Sequence, residues 1–318
     1  MRLVFMGTPV FVVPVLDALV QDSNIEITGV YTPPDRRQGR GRSSQMPPVK
    51  AYALERGLTV FQPVSLRREE VQQEMASLRP EVIVVAAYGK FLPSAVLNIP
   101  PRGCLNLHPS WLPKHRGPSP VITTILEGDE TTGVTLMLLD QGMDTGPIIA
   151  QYEQAVRPDD TAETLTAALF QLGASLLLEK LAAWVAGELI CQPQDDSLVT
   201  VTRKLERSDG EADWNLSSQQ LNRRSRAFTP WPGLFTHWRG QVLKLLEVTD
   251  SRNFPEVSAP EVNVAPGRVV PLDVAGVPVG IGTAQGVLGL KRVQLEGRSP
   301  TGAADFLKGY PQFIGAQL

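Results

Sequence analysis

Between residues 3 and 187, short β-branched or apolar runs alternate with longer stretches whose apolar residues recur at helical spacing. Strands separated by crossover helices assemble into a sheet rich in parallel pairs, so this alternation narrows the fold more than any other feature. Residues 3–6 read as the opening strand, Gly7-Thr8-Pro9 turns the chain, and residues 11–20 follow a helical face with Pro14 near its start. Residues 25–30 form a second strand. The run Glu81-Val-Ile-Val-Val-Ala86 is apolar after its first residue, as a central strand covered on both faces requires. Residues 104–108, 132–139 and 147–152 supply further strands, and residues 161–187 a long Ala/Leu-rich helix capped by Asp160 or Thr161.

Near Cys191 the pattern changes. Residues 191–206 are polar and are expected to form an exposed linker. Beyond them no long helical period occurs. Short β-type runs at 243–248, 267–270, 277–281 and 287–290, separated by Gly and Pro, indicate a small barrel or sandwich, and a five-stranded barrel fits about a hundred residues. The expected organisation is an α/β domain over residues 1–190, a linker over 191–206 and a β-rich domain over 207–318. A length of 318 residues accommodates two domains. With 20% charged residues nearly balanced at a net charge of −3, the chain falls outside the disordered class. Cys104 and Cys191 alone allow neither a disulfide framework nor a four-cysteine zinc site, which favours a cytoplasmic protein. No signal peptide is recognisable, and no stretch reads as the roughly 18 apolar residues of a membrane span, so no membrane partner is expected.

The chemistry-bearing residues cluster. His108, His115 and His237 would all be consumed by a three-histidine metal site, so metal catalysis is not expected. Neither the dinucleotide glycine fingerprint nor a Walker lysine follows the first strand, which argues against hydride transfer and ATP chemistry. Asn106 and His108 stand two apart at the end of a strand, hence on one face, where an α/β sheet opens onto its ligand crevice. An amide and an imidazole there can hold a developing oxyanion. The loop Asp140-Gln-Gly-Met-Asp144-Thr-Gly-Pro147 can return a carboxylate to the imidazole, with Asp140 and Asp144 both candidates. A third loop, residues 32–48, carries Arg36, Arg37, Arg40 and Arg42 against one acid, Asp35, and suits a polyanion. From Arg207 onward 12 basic residues face 10 acidic ones, and Arg223, Arg224 and Arg226 precede Phe228, Trp231, Phe235 and Trp238. Cations interleaved with aromatics occur on nucleic-acid surfaces and also on solvated helices beside a core.

Taken together, Gly7-Thr-Pro-x-Phe11, Pro34-Asp-x-x-x-Gly-Arg-Gly41, Ala86-Ala-Tyr-Gly89, Asn106-x-His108, Leu112-Pro-Lys-x-Arg-Gly117, Asp140-x-Gly-Met-Asp-Thr-Gly146 and Arg226-Ala-Phe-x-Pro-Trp-Pro-Gly233 resemble the methionyl-tRNA formyltransferases over essentially the whole chain. The resemblance implies a Rossmann-like formyltransferase domain with a parallel-rich sheet, followed by an OB-like β-barrel that helps hold tRNA. It implies 10-formyltetrahydrofolate as formyl donor, without a metal, and methionyl initiator tRNA as acceptor for translation initiation, with the protein a cytoplasmic monomer. Asn106, His108 and Asp144 match the family's catalytic trio. Ser110, Trp111, Leu112 and Pro113 match its folate-binding segment, with Trp111 replacing a leucine. The tRNA contacts would fall to Arg36, Arg37, Arg40 and Arg42 and to Arg223, Arg224 and Arg226; Arg42-Ser43-Ser44 departs from the lysines that many members carry. A formyltransferase acting on a small amine would keep the trio without needing the arginine loop. A noncatalytic RNA-binding protein would need the basic surfaces alone.

Overall fold

The computed structural model describes residues 1–38, 43–254 and 264–318, and for residues 36–38, 43, 44 and 253 the backbone only. In chain order the elements of the first part are β1 (Arg2–Gly7), α1 (Val13–Gln21), β2 (Glu26–Tyr31), β3 (Arg36–Gln38), β4 (Ser43–Gln45), α2 (Pro48–Glu55), β5 (Val60–Phe61), α3 (Glu69–Ser77), β6 (Val82–Ala86), α4 (Ser94–Leu97), β7 (Cys104–His108), α5 (Pro120–Glu127), β8 (Thr131–Leu138), β9 (Ile148–Ala155) and α6 (Ala162–Ala186). Those of the last part are α7 (Ser218–Ala227), β10 (Phe235–Trp238), β11 (Gln241–Asp250), β12 (Val269–Val274), β13 (Val277–Gly282), β14 (Val287–Leu295), β15 (Thr301–Gly302) and α8 (Ala303–Gly309). The chain divides into two units. One comprises Met1–Pro120, Glu130–Val156 and Thr164–Arg203; the other comprises Val121–Asp129, Arg157–Glu163 and Lys204–Leu318.

The first unit is built on a seven-stranded sheet of order β5-β2-β1-β6-β7-β8-β9. Pairing is parallel from β5 to β7 and antiparallel from β7 through β8 to β9. The parallel-rich expectation therefore holds, with an antiparallel margin beside β7. Every residue of β6 is buried, in keeping with its apolar run. In α1, Pro14 lies in the first turn, where a missing N–H costs no helical bond, and a 3-10 turn at Val10–Val12 leads into it. Leu105 and Leu107 share one face of β7; Cys104 shares the other with Asn106 and His108 and packs with Val4, Met6, Ile83 and Val85. The long helix α6 buries Leu165, Leu169, Leu176, Leu177 and Leu181. At Gly173 it comes so close to the sheet that a Cβ would sit 3.1 Å from Val134 Cγ2 and 3.4 Å from Leu107 Cδ1. Contrary to the sequence reading, α6 is long and apolar enough to cross a membrane, with 25 residues and a mean hydropathy of 1.3 over its best window. Of that window 39% is buried within the protein.

The second unit carries an antiparallel sheet of order β10-β11-β14-β13-β12, with β15 added to β14. Among the described residues this unit forms one sheet, not two facing ones, which is against the sandwich alternative. Register shifts in β11 between Leu245 and Val248 bend it, as bulges do. Its core gathers Leu221 of α7 with Leu243, Leu245, Val279, Ile281 and Leu290, and Trp238 meets Phe306, Tyr310 and Phe313 edge-on.

Candidate active site

The end of β7 presents the candidate pair. His108 is buried, whereas Asn106 is half-buried and its side-chain amide makes no hydrogen bond among the described residues. His108 Nε2 lies 3.0 Å from the His115 carbonyl, an acceptor, so this nitrogen carries the proton. Nδ1 faces Asp144 Oδ1 at 3.6 Å. Both ring nitrogens thus point at oxygen acceptors. Cys104, two residues before Asn106 on the same strand, is no nucleophile, because burial pushes its thiol up to about 12.

The loop after β7 owes its shape to one threonine. Thr135 of β8 pairs with His108 across the sheet, and its buried hydroxyl donates to Ser110 O at 2.7 Å and accepts from Leu112 N at 3.2 Å and Gln151 Nε2 at 2.8 Å. Gln151 also donates to Leu112 O at 2.9 Å. Ser110 is buried with its hydroxyl donating to Lys114 O, and the Leu112 side chain is buried as well. Of the four residues 110–113, only Trp111 exposes a large apolar side chain, 42% of it, while part of its ring packs against Gly133.

Asp140 and Asp144 are separated by the structure. Asp140 Oδ1 accepts from Gly142 N at 2.9 Å and Thr145 Oγ1 at 2.7 Å, so it shapes its own turn. Asp144 is the carboxylate beside His108, and its Oδ2 accepts from Gly117 N at 2.8 Å. Asp144 itself has φ 56°, a left-handed conformation uncommon for a non-glycine residue. At Gly146 a Cβ would fall 1.8 Å from Leu138 O, so only glycine fits.

The stretch expected as a linker is, through Arg203, part of the first unit. Gln192 pairs with Ile148 and Val201 with Arg116. The site contributors that local motifs missed are Thr135, Gln151 and the residues of this stretch. Thr135 had a signal, a hydroxyl inside the apolar run Val134-Thr-Leu-Met137; the others come from distant segments with no pattern of their own.

The basic candidates fall in two places. Arg36 and Arg37 lie on β3, paired with β4 in a hairpin, and Arg40 and Arg42 lie outside the described residues. The single acid of that loop, Asp35, is bridged by Lys50 at 2.8 Å and accepts from Gln62, which together hold its carboxyl below the usual range. In the second unit Arg223 donates to Glu127 O at 3.3 Å, Arg224 lies over the Phe228 ring at 5.9 Å, and Arg226 donates to Asp160 O at 2.8 Å. Phe228 and Trp238 are core residues, and Trp231 is 53% exposed.

The sheet changes from parallel to antiparallel beside β7, and the loop between β8 and β9 returns Asp144 to the end of that strand; this fold belongs among the formyl transferases. Residues 1–181 match the formyl transferase family and residues 204–311 the formyl transferase C-terminal domain. The chain is 45% identical over 309 residues to the methionyl-tRNA formyltransferase of Chloroflexus aggregans, covering 97% of both chains. It is 44% identical to that of Dehalococcoides mccartyi, covering 100% of this chain and 98% of the relative. Its fold is also that of HypX from Aquifex aeolicus (TM-score 0.63, 19% identity, 100% of this chain and 49% of that one). An N-formyltransferase from Helicobacter canadensis shares the fold too (TM-score 0.64, 17% identity, 91% and 98% covered). The chain belongs to the methionyl-tRNA formyltransferase family and is an enzyme of formyl transfer.

Proposed function

We propose that this enzyme moves the formyl group of 10-formyltetrahydrofolate onto the amino group of methionyl initiator tRNA, and that Asn106, His108 and Asp144 carry the step. The observation supporting this assignment is the Asn106 amide, half-buried beside His108 and without an intramolecular partner among the described residues. The amine lone pair attacks the formyl carbon, the carbonyl oxygen becomes the oxyanion, and collapse breaks the bond to N10 of the folate, which takes up a proton. A deprotonated amine needs no covalent intermediate on the enzyme. Asn106 donates to the oxyanion. His108, held through Nε2 by His115 O and with Nδ1 facing Asp144, places its imidazole beside the oxyanion that Asn106 binds. Asp144 holds the ring and accepts the proton shed by the attacking amine.

Ser110, Trp111, Leu112 and Pro113 form the folate-binding segment. With Ser110 and Leu112 turned inward, the exposed Trp111 ring and the backbone make the contact. Arg36, Arg37, Arg40 and Arg42 bind the tRNA backbone, a role favoured because Lys50 neutralises Asp35. Arg223, Arg224 and Arg226 support the second tRNA surface. The protein acts as a cytoplasmic monomer without a membrane partner. Formyl transfer is measured with methionyl initiator tRNA, methionyl elongator tRNA and free methionine as parallel acceptors. Transfer to the initiator alone is expected; transfer to none of them while folate binding persists would point instead to a small-amine acceptor.

A further inference from the structure

Two left-handed residues hold the His108–Asp144 pair. Asp144 has φ 56° and His115, whose carbonyl faces His108 Nε2, has φ 63°. Such conformations persist in non-glycine residues only where the surroundings over-determine them. Both are fastened to the stretch that follows α6. Gln194 Nε2 donates to Asp144 O at 2.8 Å and to Gly146 O at 2.7 Å, while its Oε1 accepts from Arg116 Nε at 2.9 Å. Thr200 Oγ1 accepts from His115 N at 2.8 Å, and the Arg116 backbone pairs with Thr200 and Thr202.

We infer that Gln194 is a positioning residue for the His108–Asp144 pair, tying the loop of Asp144 to the loop of His115 through one side-chain amide. A primary amide suits this place because it donates twice from nitrogen and accepts at oxygen; a carboxylate accepts only, and an ammonium donates only. The two carbonyls on Nε2 and the guanidinium on Oε1 leave a single orientation of the amide. Without it, the left-handed Asp144 loses its carbonyl restraint and the carboxylate drifts from the imidazole. Arg116 is held elsewhere as well, by Asp196 at 3.1 Å, so its own place does not depend on Gln194 alone.

This inference rests on the reading that the pair carries the reaction, and its test has an arm that does not. The variants are Gln194→Met, which keeps the volume, and Gln194→Glu, which keeps an acceptor for Arg116 and removes the donors. Both should lower kcat about 10- to 100-fold, the scale of a misplaced catalytic group, with KM for folate and tRNA within about twofold. In the same proteins the ¹⁵N resonances of the His108 ring, assignable among only three histidines, should move. A kcat within about twofold of the parent in Gln194→Glu, or His108 resonances unmoved while thermal stability falls, would overturn the inference. If no acceptor is formylated at all, the ring resonances still decide whether Gln194 positions His108.

Discussion

Asn106 and Thr135 sit one strand apart and have opposite loads. The Asn106 side chain holds nothing in the protein that the described residues show, so Asn106→Ala should leave the melting temperature nearly unchanged. If it donates to the oxyanion, turnover should fall about a hundredfold or more, the effect of removing one such donor at roughly 2.7–4 kcal/mol. Near-parent turnover in a steady-state assay would remove Asn106 from the reaction. Thr135 is the reverse case. Its buried hydroxyl serves Ser110, Leu112 and Gln151 at once, and Thr135→Val, nearly isosteric, strands a carbonyl and an N–H and leaves the Gln151 amide only Leu112 O. Leaving buried polar groups unpaired costs about 1–3 kcal/mol each at most sites, with relaxation reducing the sum. Denaturant titration should therefore show a loss of about 1–3 kcal/mol, accompanied by weaker folate binding if residues 110–113 form its segment. An unchanged midpoint would mean that water replaces the hydroxyl.

Among the elements, α7 and β11 are joined by a buried carboxylate. Asp250, at the end of β11, accepts from Asn222 Nδ2 of α7 at 2.8 Å and from Arg252 Nε at 3.0 Å. Burial alone would raise its carboxyl, but the hydrogen bonds from Arg252 and Asn222 outweigh that and hold it below its ordinary value. A depressed folded-state value stabilises above the unfolded value near 3.9 and is lost as pH falls through the folded one. Asp250→Asn should cost about 1–2 kcal/mol at pH 5–7, and the gap to the parent should close below about pH 4. A gap constant down to pH 3 would contradict the assignment. What the sequence made legible at this scale follows one rule. Elements with a complete local pattern, such as the apolar β6, the alternating β7 and the long α6, were readable to within a few residues. The helices α2 and α3 were not, since their exposed polar faces leave only Val49, Ala53 and Met75 buried. Nor was α5, where Pro120 reads as part of a loop although proline suits a first helical turn. At the site, Asn106 and His108 were legible through their period-two spacing. Gln194 and Thr200 were not, because hydrogen bonds spanning 48 to 85 residues leave no mark on the local chain.

The whole molecule is less simply divided than its composition implies. The C-terminal unit takes in Val121–Asp129 and Arg157–Glu163, segments that lie in sequence among the strands of the first unit. Arginines of α7 reach both of them. A Cβ at Gly128 would fall 2.0 Å from Arg223 Cζ, and the guanidinium of Arg226, its pKa lowered by burial, donates to Asp160 O at 2.8 Å. A chain cut before Lys204 therefore loses the acceptors of Arg223 and Arg226 along with the peptide that carries them. The fragment 204–318 should still form its sheet, since Trp238, Leu243, Ile281 and Phe313 remain, but amide exchange at Val279 and Leu290 should be faster than in the intact chain. The substitution Arg226→Met separates this effect from a general loss of stability. In the intact protein it removes a charged hydrogen bond and should cost about 1.5–3 kcal/mol; in the fragment, where the Asp160 carbonyl is gone, it should cost little. Equal costs in the two backgrounds would mean that Arg226 stabilises α7 from within and that the borrowed segments are passengers.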